Sequence, residues 1–211
     1  MPALMLLLAL AGAAPADPLP LVDAASVVPG LQVELKYSTT DNFLGRDVYG
    51  DLAVCRLQAE AAEMLRAASE ALRGARPDLR LRAYDCARPH SVQVAMWAIV
   101  EGTPQQGYVA DPTSAVGSIH NYGCAIDLTV ATAAGVPLDM GTPFDFFGNA
   151  AQPRHERAHL LDRILTGAQV ANRLVLREAM VRAGFLPLEH EWWHFDCASG
   201  TEARRRYAKI P

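Results

Sequence analysis

Apolar and polar residues alternate over Leu31-Gln32-Val33-Glu34-Leu35-Lys36-Tyr37 and again over Leu79-Arg80-Leu81-Arg82-Ala83-Tyr84. A period of two predicts a strand in each place. Ser38 to Gly50, rich in Thr, Asp, Asn and Gly, reads as the loop that follows the first. Leu57, Ala61, Met64, Leu65, Ala68 and Leu72 then recur at helical spacing, and Gly74 with Pro77 beyond it stops that helix. At Asp85-Cys86-Ala87-Arg88-Pro89 the second strand meets a proline that ends it and opens a helix over Ser91–Val100, with Val94, Trp97 and Ala98 on one face. Glu101 to Gly117 has no periodicity, and loops of that length often serve as lids. Ala125-Ile126-Asp127-Leu128-Thr129-Val130 is nearly all apolar and reads as a buried strand; the turn at Ala134-Gly135 and the run to Met140 suggest its hairpin partner. Gly141 to His155 is irregular again, with Asp145 among aromatics. Asn172–Ala183 is helical and closes on Gly184, and a last strand lies around Glu191 to Phe195.

A chain of 211 residues, 51% hydrophobic and 20% charged, is long enough for one domain with a full core. The net charge of -4 argues against a nucleic-acid partner, and Arg204-Arg205-Arg206 reads as a solvated helix face. Met1 to Ala14 is almost wholly apolar but shorter than the roughly 20 residues a membrane span needs, so no stable membrane span is expected. It suits the apolar core of a secretory signal, although it lacks Lys and Arg, and Ala14-Pro15-Ala16 offers a cleavage site before Asp17. The expected division is therefore a signal peptide over 1–16 and a single domain over 17–211, in an exported, periplasmic-type protein, with a cytoplasmic chain as the alternative. Four cysteines, Cys55, Cys86, Cys124 and Cys197, contain no C-x-x-C pair. They allow three disulfide connectivities; Cys86–Cys197 is favoured because each lies near a candidate site motif, with free thiols as the alternative.

The chemistry concentrates in two stretches. Ser118 to Asp127 carries His120 and Asp127; Glu191-Trp192-Trp193-His194-Phe195 carries a second His and carboxylate among large rings. An Asp inside an apolar strand is costly unless its charge is neutralised, and a metal ion would do so. His120, Asp127 and His194 are then ligands, with water at the fourth position of a zinc shell, and Glu191 is a base beside them. On a regular strand Glu191 and His194 would face opposite ways, so the segment must turn or bulge there. Arg88, at a strand-to-helix corner, is a candidate oxyanion stabiliser. The rival is His155-Glu156-Arg157-Ala158-His159, which has the H-E-x-x-H order but lacks an apolar run before it. His90 and His190 read as surface or supporting groups.

The motif S-x-H-x-x-G-x-A-x-D followed by E-W-W-H resembles the D-alanyl-D-alanine dipeptidases, the VanX-type zinc peptidases, in a wider group with D-Ala-D-Ala carboxypeptidases, lysostaphin and the hedgehog signalling domain. L-K-Y-S-T-T-D-N-F, D-C-A-R-P and D-M-G-T-P-F-D-F resemble that family's N-terminal strand and loop, its D-x-Y-R-P motif and its substrate loop. The resemblance implies one zinc ion per chain on His120, Asp127 and His194, Glu191 as general base, and Arg88 at the oxyanion. It implies that Ser118, Tyr37 and Asp145 hold the termini of a small D-amino-acid dipeptide. Ala87 departs from the usual aromatic and Cys124 from the usual small residue; Tyr49 is left outside the set. The expected fold is α+β, a small mainly antiparallel sheet carrying the zinc site with helices packed around it. The expected function is zinc-dependent hydrolysis of D-Ala-D-Ala in cell-wall turnover. The alternatives are a D,D-carboxypeptidase on longer wall peptides and a non-catalytic, zinc-stabilised binding module.

Overall fold

A computed structural model describes residues 20–115 and 117–211. The expected signal peptide lies outside the described residues. In chain order the elements are β1 (Val22–Asp23), α1 (Ala24–Val27), β2 (Gln32–Val33), β3 (Arg56–Leu57), α2 (Ala59–Ala75), β4 (Leu79–Asp85), α3 (His90–Val100), β5 (Ala125–Thr132), α4 (Glu156–Leu161), α5 (Gly167–Arg182), β6 (Leu186–Pro187), β7 (His194–Asp196) and α6 (Gly200–Arg206). Five strands form one sheet in the order β2-β4-β5-β7-β6, and β1 pairs with β3 apart from it. Among the described residues only the β2–β4 pairing of that sheet is parallel. The class is α+β with a mainly antiparallel sheet, as expected.

β5 is the centre of the fold. Seven consecutive residues, Ala125 to Ala131, are buried, which is what a strand covered on both faces requires. In β4 the alternation buries Leu79, Leu81 and Ala83. α2 buries Ala61, Ala62, Leu65, Ala68 and Leu72 against β4 and α5, and leaves Arg66 half-exposed between Glu63 and Glu70 one turn either side. α5 starts five residues before the expected Asn172, at a capping box in which Thr166 and Gln169 bond each other's backbone. It closes as expected on Gly184, at φ +97°.

Several local expectations are corrected. The first strand shrinks to Gln32–Val33, because Lys36–Ser38 coils into a 3₁₀ turn whose backbone N–H groups bond locally. The hairpin after β5 reduces to one bridge, Ala131 to Pro137, since Pro137 cannot donate to a ladder. In α3 the buried face carries Val92, Gln93, Met96 and Val100, while Val94 is exposed, because Gln93 is needed inward by a buried arginine.

The favoured Cys86–Cys197 disulfide is also corrected: the bonds are Cys55–Cys86 and Cys124–Cys197. Strand order is the reason. β5 lies between β4, which ends beside Cys86, and β7, which precedes Cys197. Cys86 instead adjoins the chain at Cys55–Arg56, where the Ala87 N–H donates to the Arg56 carbonyl. The Cys197 N–H donates to the Cys124 carbonyl at the start of β5.

Candidate active site

Register places the chemistry. Asp85 is paired with Asp127 across β4–β5, and Asp127 with His194 across β5–β7, so three candidate site residues form one row across the sheet. The fourth, His120, comes from a 3₁₀ turn, Ile119–Tyr122, that enters β5. Gly123 ends the turn at φ +64°, and a Cβ there would stand 2.6 Å from a Leu21 methyl. Only glycine combines that conformation with that contact.

Three ligand-type atoms converge. Asp127 Oδ1 lies 3.0 Å from His194 Nδ1 and 3.3 Å from His120 Nε2, and the two ring nitrogens are 3.2 Å apart. All three residues are buried. The remaining nitrogens are oriented from outside: His120 Nδ1–H donates to the Cys86 carbonyl at 2.7 Å, and His194 Nε2–H to Asp196 Oδ1 at 2.9 Å. A carbonyl can only accept, so the Cys86 bond fixes the His120 proton on Nδ1 and turns the Nε2 lone pair inward. Burial opposes ionisation of Asp127, but His120 and His194 outweigh it and hold the carboxyl far below its ordinary range. Burial likewise opposes charge on His194, yet Asp196 and Asp127 raise it well above an ordinary histidine. Two imidazoles and a carboxylate this close are a chelating set for one divalent cation.

Arg88 stands beside the set with its guanidinium clamped. Nε and Nη2 donate to Asp85 Oδ2, Nη1 donates to Gln93 Oε1 at 2.9 Å, and Nη2 is 3.7 Å from Asp127 Oδ2. Its backbone is tied to the histidine turn as well: the Arg88 N–H donates to the His120 carbonyl, and Asn121 Nδ2 to the Arg88 carbonyl. The aromatic face of Tyr37 lies 5.3 Å from the guanidinium carbon. Burial would discharge this arginine, but Asp85 keeps it charged.

These groups open on a cavity of about 610 Å³ lined also by Tyr37, Ser118, Asp145 and Glu191. Glu191 precedes β7 in a turn, which answers the facing problem: its Oε2 comes within 4.0 Å of His194 Nδ1 without sharing a strand with it. Burial pushes its carboxyl up to about 7. Tyr37 OH donates to Asp145 Oδ2 at 2.7 Å, so these two form one polar patch on the wall rather than separate ends of it. Burial raises the Asp145 carboxyl well above its ordinary range, against the Tyr37 hydrogen bond. Asp145 also holds φ +58°, a conformation that Asp tolerates better than most residues. Ser118 is buried on the same cavity, and its carbonyl accepts from the Asn121 N–H.

The rival histidines do not assemble a site. The His155 and His159 rings are 6.0 Å apart, and Glu156 between them is taken by Arg177, whose Nη2 reaches both carboxylate oxygens at 2.8 Å. Among the described residues the one His/Asp/Glu cluster with metal-ligand spacing is His120, Asp127 and His194. Sequence reasoning missed Asp85, Tyr49, Gln93 and Asp196. Tyr49 OH donates to Asp85 Oδ1, completing the anchor of Arg88, and His190 lines the cavity. Asp85 and Asp196 each lie within three residues of a predicted site residue, the one signal that would have flagged them.

A buried His–Asp–His set with a carboxylate and a clamped guanidinium on one small cavity has the composition of a metallopeptidase. The profile of the Peptidase_M15 family, described as D-ala-D-ala dipeptidase, matches residues 17–211, and the chain belongs to that family. It is 38% identical over 180 residues to the D-alanyl-D-alanine dipeptidase of Escherichia coli, covering 85% of this chain and 86% of that protein. It is 30% identical over 185 residues to the enzyme of that name from Enterococcus faecalis, covering 79% and 85%. The match to the Enterococcus faecium enzyme is 31% over 191 residues, covering 80% and 87%.

Proposed function

We propose that this chain hydrolyses the dipeptide D-Ala-D-Ala with one zinc ion held by His120, Asp127 and His194. The observation that carries the reading is the convergence of those three ligand atoms at 3.0–3.3 Å beside Glu191 and Arg88. Ligands about 2.0–2.1 Å from a tetrahedral zinc stand roughly 3.3 Å from one another, so the separations fit that ion. A zinc ion there supplies Lewis acidity, which polarises the scissile carbonyl and lowers the pKa of water to about 7.

The rest is done by the chain. Glu191 takes the proton of the attacking water and delivers it to the leaving amine as the C–N bond breaks. A carboxyl raised to about 7 suits a group that must gain and lose a proton near neutrality. Arg88 faces the oxygen on which negative charge develops, and Asp85 and Gln93 hold it in position before the reaction starts. Asp145, with Tyr37, receives the substrate ammonium, whose charge offsets the burial of that carboxylate; Ser118 lies on the same cavity to hold the other terminus. Export is part of this reading, on the apolar composition of 1–16, and is supported by the two disulfides, which persist in oxidising compartments; a place in cell-wall turnover rests on the proposed substrate.

The test is hydrolysis of D-Ala-D-Ala by the purified protein, with metal analysis, for wild type, His120→Ala and His155→Ala. The wild type and His155→Ala should each hold about one zinc ion and cleave the dipeptide, and a chelator should abolish turnover. Loss of metal in His155→Ala but not in His120→Ala would overturn the assignment.

A further inference from the structure

Three irregular segments bring aromatic rings to the same wall of the cavity. Tyr108, from the stretch after α3, stacks on Phe147 with centroids 5.3 Å apart and planes 18° from parallel. Phe147, from the stretch after β5, meets Phe43 edge-on at 5.0 Å. Phe43, from the loop after the Lys36–Ser38 turn, meets Tyr37 edge-on at 6.1 Å. Tyr37 in turn hydrogen-bonds Asp145. The four rings therefore run in one continuous series from Tyr108 to Asp145, the carboxylate proposed above to receive the substrate ammonium, and all four line the cavity.

The outer end of the series is anchored to the site. Gln93 Nε2 donates to the Ala110 carbonyl at 2.7 Å while Gln93 Oε1 accepts from Arg88. Tyr108 itself sits in a 3₁₀ turn, Gln106–Tyr108, with its N–H bonded to the Gln105 carbonyl. The stretch that carries Tyr108 is thus fastened to α3 through the residue that also positions the guanidinium.

We propose that Phe43, Tyr108 and Phe147 are specificity-determining residues that limit substrate length at the amino end. This rests on the dipeptidase reading. A further residue N-terminal to D-Ala-D-Ala would convert the ammonium into a neutral amide and lose its charge on Asp145. The added peptide group would then meet ring faces and edges, which offer no partner for its N–H and C=O, and an unmet polar group is costly to bury. The rings thus reject length in the way a polar wall would not.

The test compares kcat/KM for D-Ala-D-Ala and for Gly-D-Ala-D-Ala in the zinc-loaded full chain. Tyr108→Ala and Phe147→Ala should each move the tripeptide-to-dipeptide ratio toward the tripeptide by roughly tenfold or more, the size of one well-placed contact in the transition state. Tyr108→Phe keeps the stacked ring and should keep the wild-type ratio. If an alanine variant fails to fold, Tyr108→Gln and Phe147→Gln retain most of the volume but supply a donor and an acceptor, and should move the ratio in the same direction. A wild type that discriminates, with variants that lose both activities equally, would overturn the wall and leave the dipeptidase reading standing. A wild type that cleaves both substrates alike would overturn the dipeptidase reading and this inference with it.

Discussion

Replacing Asp85 by Asn removes one negative charge from a place with no water to substitute for it. Asp85 is fully buried and its carboxylate takes four donors: Arg88 Nε and Nη2 on Oδ2, and Tyr49 OH and the Cys86 N–H on Oδ1. An asparagine side chain has a single oxygen, so one pair of donors would face an NH₂ group. Arg88 would keep its charge among buried neighbours, with Asp127 at 3.7 Å as the nearest remaining carboxylate. Removing one partner of a buried pair typically costs about 3–5 kcal/mol, and Asp127 should keep this case near the lower end. For a domain of this size, 1 kcal/mol corresponds to about 2–4 °C in Tm, so a drop of roughly 6–16 °C is expected. Urea unfolding of chelated, disulfide-intact protein, followed by tryptophan fluorescence, measures the free energy directly. The double variant Asp85→Asn/Arg88→Met should recover more than 1 kcal/mol relative to the sum of its singles, because it no longer buries an unpaired guanidinium. A loss below about 1 kcal/mol for Asp85→Asn, or strict additivity in the cycle, would refute the argument that Asp85 is the counter-charge that makes Arg88 tolerable.

Other outcomes follow from the same geometry. Glu191→Gln should retain metal and lose about 10²–10⁴-fold in turnover; since the base must be ionised, and a bound cation lowers a carboxyl that burial holds at about 7, the wild-type acid limb should fall at or below that pH. Unchanged turnover in this variant would remove Glu191 from the mechanism. Metal affinity measured against a competing chelator should fall as pH is lowered, approaching about one decade per unit below the raised pKa of His194, whose proton the metal must displace; Asp127 stays ionised throughout and adds no slope. A flat profile would show that His194 is not a ligand. Reducing the disulfides, which close separations of 31 and 73 residues, should cost about 4 kcal/mol each on the chain-entropy account. It should also weaken metal binding, because the Cys86 carbonyl orients His120. Equal zinc affinity in reduced and oxidised protein would contradict that second effect.

The candidate ligand set was legible because its cost is local. An Asp within Ala125–Val130 violates the pattern of its own strand, and that conflict could be read without knowing what lies beside it. Glu191 was legible as chemistry but not as geometry, since the turn before His194 leaves no mark in the pattern of E-W-W-H. Asp85 was hidden because it ends an alternating strand, where an exposed polar residue is expected; only its pairing with Asp127 shows that it is buried. The disulfides were misread for a related reason. Their pairing depends on β5 lying between β4 and β7, an order set by contacts far apart in the chain. The edge strands β2 and β6, two residues each, fall below any periodicity, and α5 gained a turn from a capping box that lies before its apolar stripe.

The charges around the cavity explain why these features belong together. Asp85, Asp127, Asp145, Glu191 and Asp196 gather near a single buried guanidinium, Arg88, and such an excess of carboxylates is unfavourable in a poorly hydrated site. Protons can relieve it at three places: the ring of His194 between two carboxylates, Glu191 in its turn, and Asp145 on the aromatic wall. On the proposed reading, each place has a cationic replacement or a catalytic use for that proton. A divalent ion takes the place of the proton on His194, the substrate ammonium takes the place of the one on Asp145, and Glu191 shuttles its own. Arg88 stays fixed because Asp85 and Gln93 hold three of its five N–H donors, which leaves donors for the developing oxyanion. The acidity of the site is therefore a selection for two cations of different kinds: an ion that can bind two imidazoles, and an ammonium small enough to pass beneath Phe43, Tyr108 and Phe147.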